Sequence, residues 1–338
     1  MSNPVHFYWN DPSYARQFRT GASLHSHTLH SRESMDFVPR LARRMPPLRW
    51  QAGLFPARFE RAHGIPFVFE KGWWTPPLDM AGACALESGQ IEKFGLRPMV
   101  SLTDHDAFAG QAGMSSVELT VKLESSILHL GIHNLPPKRA NEVLAYRAHP
   151  AGLMGWLSQL PHVLVVLNHP LWDEGGSEGA THRCVVERFL ARYKRDIHAL
   201  ELNGLRPWRE SETVMEMAKA WGLPTVSGGD RHGFEPNANI NLTNAETFDE
   251  FVDEIRRWRM SSVLFLPQYR ILLAVRVARN VLEVLRDQPD HSLGWRRLQD
   301  RVFYETQPGV VRSIAELLPG GIQWLVPGLV PAIAKTSA

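Results

Sequence analysis

Short apolar runs recur along the chain, and each of them ends in a cluster of polar residues. Five runs have the length and composition of buried strands and occupy residues 99–103, 126–132, 163–167, 199–202 and 224–227. The run at 163–167 is apolar throughout, which indicates a strand in a sheet that is covered on both faces.

Amphipathic patterns with the period of an α-helix lie between these runs. They cover residues 182–195, 210–221 and 247–260. In the last pattern, one stripe contains Phe248, Phe251, Ile255 and Trp258. The alternation of strands and helices predicts parallel strands in an α/β barrel or a doubly wound sheet.

Two segments interrupt this alternation. Residues 40–97 carry many prolines and aromatic residues without a clear period, and we interpret them as an insertion. Residues 268–338 begin with a long helical pattern and contain no cluster of metal-ligand type, so we expect a helical C-terminal extension. Its apolar stretch at 314–334 contains three prolines and three glycines, which argue against a membrane span. We expect this stretch to dock on the chain itself, on a protein partner or on a second copy; peripheral membrane contact is the alternative.

The composition is that of a globular protein with balanced charge. Lysine and arginine total 37 of the 338 residues and aspartate and glutamate total 35, for a formal net charge of +2. This balance argues against a dedicated nucleic-acid binder, so no stable nucleic-acid complex is expected. Cys84 and Cys184 lie far apart and indicate neither a disulfide framework nor a thiolate zinc site. The N-terminus lacks the apolar core of a secretory signal, which makes a cytoplasmic location the expectation.

Imidazoles and carboxylates gather at the predicted strand ends. Six of the 15 histidines lie in five short polar segments: His25, His27, His105, His133, His169 and His232. Residues two apart on a strand point to the same side, so His25 and His27 can bind one ion jointly. A carboxylate beside a histidine, as in 104–106 and 230–232, can orient the ring. The simplest interpretation is a multinuclear metal site.

The order of these segments resembles the PHP family, the polymerase and histidinol-phosphatase type of metal-dependent phosphoesterase, across residues 22–250. The matching segments are 24–28 (LHSHT), 102–106 (LTDHD), 116–120 (SVELT), 130–133 (LGIH), 168–170 (NHP) and 229–233 (GDRHG). The resemblance implies an α/β fold, a distorted (β/α)7-type PHP barrel over residues 18–267 that includes the insertion at 40–97, followed by the extension at 268–338.

The resemblance also implies a ligand set of nine residues. These are His25, His27, Glu33, His105, Glu118, His133, His169, Asp230 and His232. Glu118 would bridge two ions, and nitrogen and oxygen donors suit zinc, manganese or iron. Glu33 stands where relatives carry aspartate or histidine, so the site is expected to hold two or three divalent ions. His129 shares a strand face with His133 and is the alternative; we favour His133 because it ends the strand.

The implied activity is hydrolysis of a phosphomonoester or a small nucleotide by a metal-bound hydroxide. Asp106 is the candidate to assist the leaving alkoxide. Arg231, Arg32 and Lys138 are candidates to bind the substrate phosphate, with Arg231 curled over the rim of the site. A salt bridge from Arg231 to a local carboxylate is the alternative.

Three other functions remain open at this point. The first is a nuclease on short oligonucleotides, the second is a metal-bound scaffold without catalysis whose C-terminal helices recruit a partner, and the third is an amidohydrolase reaction.

Overall fold

The chain divides into two compact units. The structure is a computed structural model that describes residues 5–35, 38–39, 46–108, 115–123, 126–172, 179–287 and 297–317. The first unit consists of Met1–His27, Met80–Arg231 and Glu235–Leu273. The second unit consists of Thr28–Asp79, His232–Phe234 and Ala274–Ala338. The boundary expected at residue 267 stays a prediction.

Strands and helices alternate along much of the described chain. The strands are β1 (Val5–Phe7), β2 (Thr20–Leu24), β3 (Glu33–Ser34), β4 (Gly72–Trp74), β5 (Arg97–Ser101), β6 (Asp104–His105), β7 (Ser115–Leu123), β8 (Ser126–Leu135), β9 (Leu164–Asn168), β10 (Ala199–Asn203), β11 (Thr225–Gly228), β12 (Asn239–Thr243), β13 (Ser262–Phe265), β14 (Val302–Gln307) and β15 (Val310–Ser313). The helices are α1 (Pro46–His63), α2 (Met80–Glu92), α3 (Ala140–Ala145), α4 (Pro150–Leu157), α5 (Gly179–Tyr193), α6 (Trp208–Trp221), α7 (Phe248–Arg256), α8 (Leu273–Leu285) and α9 (Ile314–Leu317).

These elements confirm the five predicted strands and the three predicted helices. Thr247 caps α7 in a capping box with Glu250, and the buried residues Phe251 and Ile255 face the core as predicted. Trp258 is the exception to the predicted stripe, since 60% of it is exposed. The helix ends at Arg256, so the helical period no longer fixes the direction of Trp258.

The first unit contains two mixed sheets. One has the strand order β1-β13-β12-β2-β5 and the other has the order β11-β10-β9-β8-β7-β6. Strands β9, β10 and β11 are parallel, as predicted, whereas β8 is antiparallel to both β7 and β9. The reason is covalent: β7 ends at Leu123 and β8 begins at Ser126, and two intervening residues cannot hold the crossover that parallel neighbours need.

The described strands of the first unit pair in two open sheets and not in one closed barrel. Backbone hydrogen bonds nevertheless connect the ends of several of these strands. The amide of Asp230 donates to the carbonyl of His25 at 2.8 Å, and the amide of His27 donates to the carbonyl of Arg231 at 2.9 Å. Thr103 donates in the same way to Ser26 at 2.9 Å. These bonds bring the carboxyl ends of β2, β5 and β11 together, where parallel strands of α/β proteins place their sites.

The second unit contains the remaining sheet, in the order β15-β14-β4-β3. The region expected to be a helical C-terminal extension contains the helices α8 and α9 and also two strands, β14 and β15, which the sequence pattern did not predict. In β14 the burial alternates, with Val302 and Tyr304 buried and Phe303 between them partly exposed, which is the period of a strand. Tyr304 packs with Phe59 and Phe67 in a separate core.

Two sequence-based expectations concern membrane contact and the C-terminal apolar stretch. No helix in the described part of the chain is long and apolar enough to cross a membrane. The predicted docking stretch at 314–334 lies outside the described residues from 318 onward.

Candidate metal centre

Glu118 is the centre of a buried cluster of histidines in the first unit. It lies on β7, and its side chain is fully buried. Its Oε2 atom lies 2.9 Å from Nε2 of His25, 3.0 Å from Nε2 of His105 and 3.4 Å from Nε2 of His27. One carboxylate oxygen is thus surrounded by three imidazole nitrogens.

The other oxygen of Glu118 faces a second group. Oε1 lies 3.2 Å from Nε2 of His169 and 3.5 Å from Nδ1 of His129, and it accepts a hydrogen bond from Nδ2 of Asn168 at 2.9 Å. Glu118 therefore presents each of its oxygens to a different set of nitrogens, as a carboxylate that bridges two cations would.

Asp230 completes the first of these groups. Its Oδ1 atom lies 3.4 Å from Nε2 of His27 and 3.6 Å from Nε2 of His25. With Glu118 these residues form one set whose donor atoms all lie within 4.8 Å of one another. His105, Glu118 and His129 form a second such set. The structure thus brings together His25, His27 and Asp230, and their binding of a common ion stays a prediction.

Glu201 is a residue of the site that the sequence analysis missed. It lies on β10 and is buried, and its Oε1 atom lies 2.5 Å from Nδ1 of His25. Its Oε2 atom accepts from the backbone amide of His169 at 2.6 Å and from Nδ2 of Asn203 at 3.2 Å. Glu201 thus fixes the ring of His25 so that Nε2 faces Glu118, the role of a carboxylate behind a metal-binding histidine.

The backbone is strained at four residues of this region. His25, Asp106, His169 and Asp230 have φ values of 64°, 48°, 25° and 54°, in the left-handed region that non-glycine residues seldom adopt. Each follows the end of a strand or short extended segment. Such strain costs about 1–3 kcal/mol per residue and persists where the surrounding structure fixes it, often at functional sites.

Charge and burial oppose each other in the cluster. Burial disfavours the charged form of His25, yet the carboxylates of Glu118, Glu201 and Asp230 hold its pKa well above the ordinary value. Burial likewise disfavours the charge on Glu118, but the surrounding histidines hold its pKa well below the ordinary value. Burial lowers the pKa of His169, and the hydrogen bond that its ring donates to the carboxylate of Glu118 opposes this effect. The cluster therefore favours a carboxylate at its centre.

His133 does not lie in either donor set, in contrast to our preference for it over His129. Its Nδ1 atom lies 2.8 Å from Oγ of Ser101, and its ring lies against Phe248. Burial lowers its pKa to about 3, so it is a neutral hydrogen-bonded ring. The structure brings His129 to Glu118 instead.

Glu33 and His232 lie together in the second unit. Oε2 of Glu33 is 3.2 Å from Nε2 of His232, and the imidazole packs beside the ring of Trp74 at 5.7 Å between centroids. The backbone amide of Gly233 donates to Oδ1 of Asn280 at 2.7 Å, which anchors the segment. The two predicted ligands therefore form a pair of nitrogen and oxygen donors.

Arg231 is buried, so the prediction that it curls over the rim of the site is wrong. Only 2% of its side chain is exposed, and Nε donates to Oε1 of Glu87 at 2.9 Å. Glu87 also accepts from Oγ of Ser23 at 2.9 Å and from the amide of Asn237. The salt-bridge alternative is the one that the structure favours, and Glu87 is the partner that the sequence did not reveal.

The other predicted polar residues take up separate positions. Asp106 accepts from the amide of Thr120 at 3.0 Å and pairs with Nη1 of Arg147 at 2.9 Å, so both of its oxygens have partners. Arg32, in the second unit, lies over the ring of Trp73 at 5.3 Å. Lys138 is exposed in a short 3-10 helix, Pro137–Arg139.

The donor set fits divalent cations. Its atoms are imidazole nitrogens and carboxylate oxygens, the ligands that zinc, manganese and iron share. Glu118 and His25 are almost completely buried, and buried charges in proteins are paired or coordinate metals. Ions held by these residues would balance the carboxylate charge of Glu118, Glu201 and Asp230.

Known proteins offer little further guidance. No family profile matches the sequence, and no curated protein is significantly similar to it. Among solved structures, PsfC from Pseudomonas syringae is 16% identical with a TM-score of 0.40, covering 78% of this chain and 99% of its own. An amidohydrolase from Chromobacterium violaceum is 16% identical with a TM-score of 0.29, covering 39% and 76%. A protein from Bifidobacterium adolescentis, assigned provisionally as a metal-dependent phosphoesterase, is 18% identical with a TM-score of 0.35, covering 51% and 89%. All three TM-scores are below one half, so we infer function only from the side chains of the buried cluster.

Proposed function

We propose that this protein is a metal-dependent hydrolase that cleaves phosphate esters. The observation that carries the proposal is the buried carboxylate of Glu118, whose two oxygens face different groups of imidazoles. A bridging carboxylate between two cations is a common basis for hydrolysis of phosphate esters. The sequence motifs that resemble those of the PHP family support the same activity.

Individual residues have distinct roles in this proposal. His25, His27, Asp230 and Glu118 would hold one ion, and Glu118, His129 and His169 would hold a second. His105 faces Oε2 of Glu118 but forms a donor set with Glu118 and His129, so it would bind on the side of the second ion. Bound divalent ions would lower the pKa of a coordinated water and neutralise phosphate oxygens. Glu201 holds the ring of His25 in the orientation that presents Nε2 to the site.

The proposal also includes the number of bound ions and the class of substrate. Glu33 and His232 offer two donors for a third ion in the second unit. The near-neutral net charge of +2 favours a phosphomonoester or small nucleotide over a polynucleotide. A nuclease acting on short oligonucleotides, a non-catalytic scaffold and an amidohydrolase are the alternatives.

Metal content and turnover of an aryl phosphate test the proposal together. Protein purified without chelator and supplied with zinc, manganese or iron should contain two or three ions per chain by elemental analysis. It should hydrolyse an aryl phosphate, and a chelator should abolish this activity. Glu118→Gln should lose both metal and turnover, because it removes the shared carboxylate charge. Glu142→Gln, a change of the same kind at a half-exposed residue of α3, should change neither.

The alternatives give different results in the same assay. A protein without metal after supplementation would overturn the proposal. Bound metal without turnover of any phosphate ester would favour the scaffold, or the amidohydrolase if an amide substrate is cleaved. Degradation of an unlabelled oligonucleotide at a rate above that of the aryl phosphate would favour the nuclease.

A further inference from the structure

A stacked arginine is connected to the candidate metal centre through the ring of Trp172. Arg206 follows β10, the strand that carries Glu201, and its guanidinium carbon lies 4.0 Å from the ring centroid of Trp172. Trp172 in turn contacts the ring of His169, with 5.0 Å between centroids. A continuous series of contacts therefore leads from Glu118 through His169 and Trp172 to Arg206.

Arg206 is fixed in place from two sides. The face of Trp172 supports its guanidinium plane, and a guanidinium over a tryptophan ring is a favourable cation–π pair. The hydroxyl of Tyr269 donates to the backbone carbonyl of Arg206 at 2.9 Å, which anchors the loop. A cation held in this way loses little conformational entropy when it binds a ligand.

The charge of Arg206 is only weakly compensated. Its Nε atom is buried and has no hydrogen-bond acceptor among the described residues. The carboxylate that pairs with it, Glu210, lies 4.0 Å away, beyond hydrogen-bonding distance. A desolvated donor without an acceptor is costly, so an incoming anion would gain more here than at the surface.

Both members of this pair are partly exposed. Trp172 is 37% exposed, and 19% of the side chain of Arg206 is exposed. By contrast, Arg231 is buried against Glu87, and Lys138 lies exposed in a separate short helix. Of these three cations, Arg206 is the one that stacks on Trp172, and Trp172 contacts the ring of His169.

We infer that Arg206, supported by Trp172, binds a second anionic group of the substrate, a carboxylate or a second phosphate. The inference rests on the proposed function and narrows its substrate class to phosphate esters that carry another anion away from the scissile bond. Arg206 acts here as a specificity residue, because it lies beside the metal cluster and not within it. Trp172 is the positioning residue for the guanidinium.

Equilibrium binding of phosphonates tests this inference without any turnover. Phosphonoacetate, phosphonopropionate and phosphonobutyrate are each compared by calorimetry with the alkylphosphonate of the same length, using metal-loaded protein. At least one carboxylated ligand should bind about 10- to 100-fold tighter than its alkyl counterpart, the size expected for a charge-assisted hydrogen bond. Arg206→Gln should remove this preference and leave the affinity for the alkylphosphonate unchanged.

Matched variants separate recognition from loss of structure. Arg183→Gln disrupts another arginine–glutamate pair spaced four residues apart, on the surface of α5, and should keep the preference. Arg206→Lys keeps the charge without the planar fork and should restore part of the preference, and Trp172→Leu should weaken it. Equal affinity of wild-type protein for all carboxylated and alkyl ligands would overturn the inference, as would a preference that survives in Arg206→Gln. Failure of the proposed function would appear separately, as protein that takes up no metal.

Discussion

Oε1 of Glu201 and Nδ1 of His25 lie 2.5 Å apart, and both side chains are buried. This contact directs the other ring nitrogen of His25 towards Glu118. We expect Glu201→Gln to lower metal affinity about 10- to 100-fold, because a neutral amide holds the ring less firmly and adds no negative charge. Competition with a chromogenic chelator measures the change. Unaltered affinity would show that Glu201 is only a packing residue.

Gly228 has no side chain, and the carboxylate of Glu201 occupies the space beside it. A Cβ atom at this position would overlap the carboxylate of Glu201. Gly228→Ala should therefore destabilise the fold by about 1–3 kcal/mol in urea unfolding and also reduce metal binding, because the carboxylate must move. Gly155→Ala, in α4, is the matched control: its Cβ would meet no atom within 4 Å. That variant should be as stable as the wild type or gain about 0.5–1 kcal/mol.

His129 and His133 are predicted to differ in their effect on metal content. His129→Gln should reduce the ion stoichiometry found by elemental analysis, because His129 faces Glu118. His133→Gln should leave the stoichiometry intact and lower the free energy of unfolding by about 1 kcal/mol through the weakened bond to Ser101. The reverse pattern would restore the ligand assignment that the sequence favoured.

Arg231 should matter for stability more than for substrate binding. Arg231→Gln leaves the buried carboxylate of Glu87 without its cation, so the free energy of unfolding should fall by about 3–5 kcal/mol. Michaelis constants for aryl phosphate should stay unchanged in the folded fraction. A raised Michaelis constant together with normal stability would contradict this assignment and support contact with substrate.

His198 should make the fold sensitive to acid. Burial, followed by the charges of Arg256 and Arg259, lowers its pKa to about 3, whereas the unfolded chain has the ordinary value of 6.5. The unfolded state therefore binds the proton first, and stability is lost as the pH falls from 6.5 towards 3. Between pH 7 and pH 5 the loss should be about 2 kcal/mol.

A variant isolates this contribution from other titrating groups. Nδ1 of His198 accepts a hydrogen bond from the amide of Val165 at 2.9 Å, and a glutamine oxygen can take over this role. His198→Gln should have a shallower dependence of unfolding free energy on pH over the same range. Equal slopes for the two proteins would remove His198 as the cause.

Local motifs could be predicted from the sequence because they depend on neighbours in the chain. The pair His25 and His27, and Asp230 after a strand, lie together because short segments fix them at strand ends. The resemblance to the PHP family pointed to Glu118, and the structure places this residue among the histidines. Glu201 was not predicted. It is the single carboxylate inside the apolar run at 199–202, and because a buried charge needs a partner, its position could have indicated a role in the site.

The choice between His129 and His133 depended on strand direction, which the sequence analysis took to be parallel. Because β8 is antiparallel to β9, His129 pairs with Asn168 at the carboxyl end of β9. His133 pairs with Leu164 at the opposite end. His133, which lies nearer the end of β8 than His129 does, is therefore farther from the cluster. Contacts of Arg231 with Glu87 and of Arg206 with Trp172 join residues distant in sequence, and no local pattern predicts them.

The left-handed backbone at His25, His169 and Asp230 limits how this centre could be re-engineered. Among L-amino acids, asparagine, aspartate and histidine tolerate that conformation best, while branched or bulky residues do not. Exchanging these candidate ligands for cysteine or glutamate to select a different metal would thus add a conformational penalty to any change in coordination. The backbone conformation therefore limits which residue types these three positions can accept, whatever metal is to be bound.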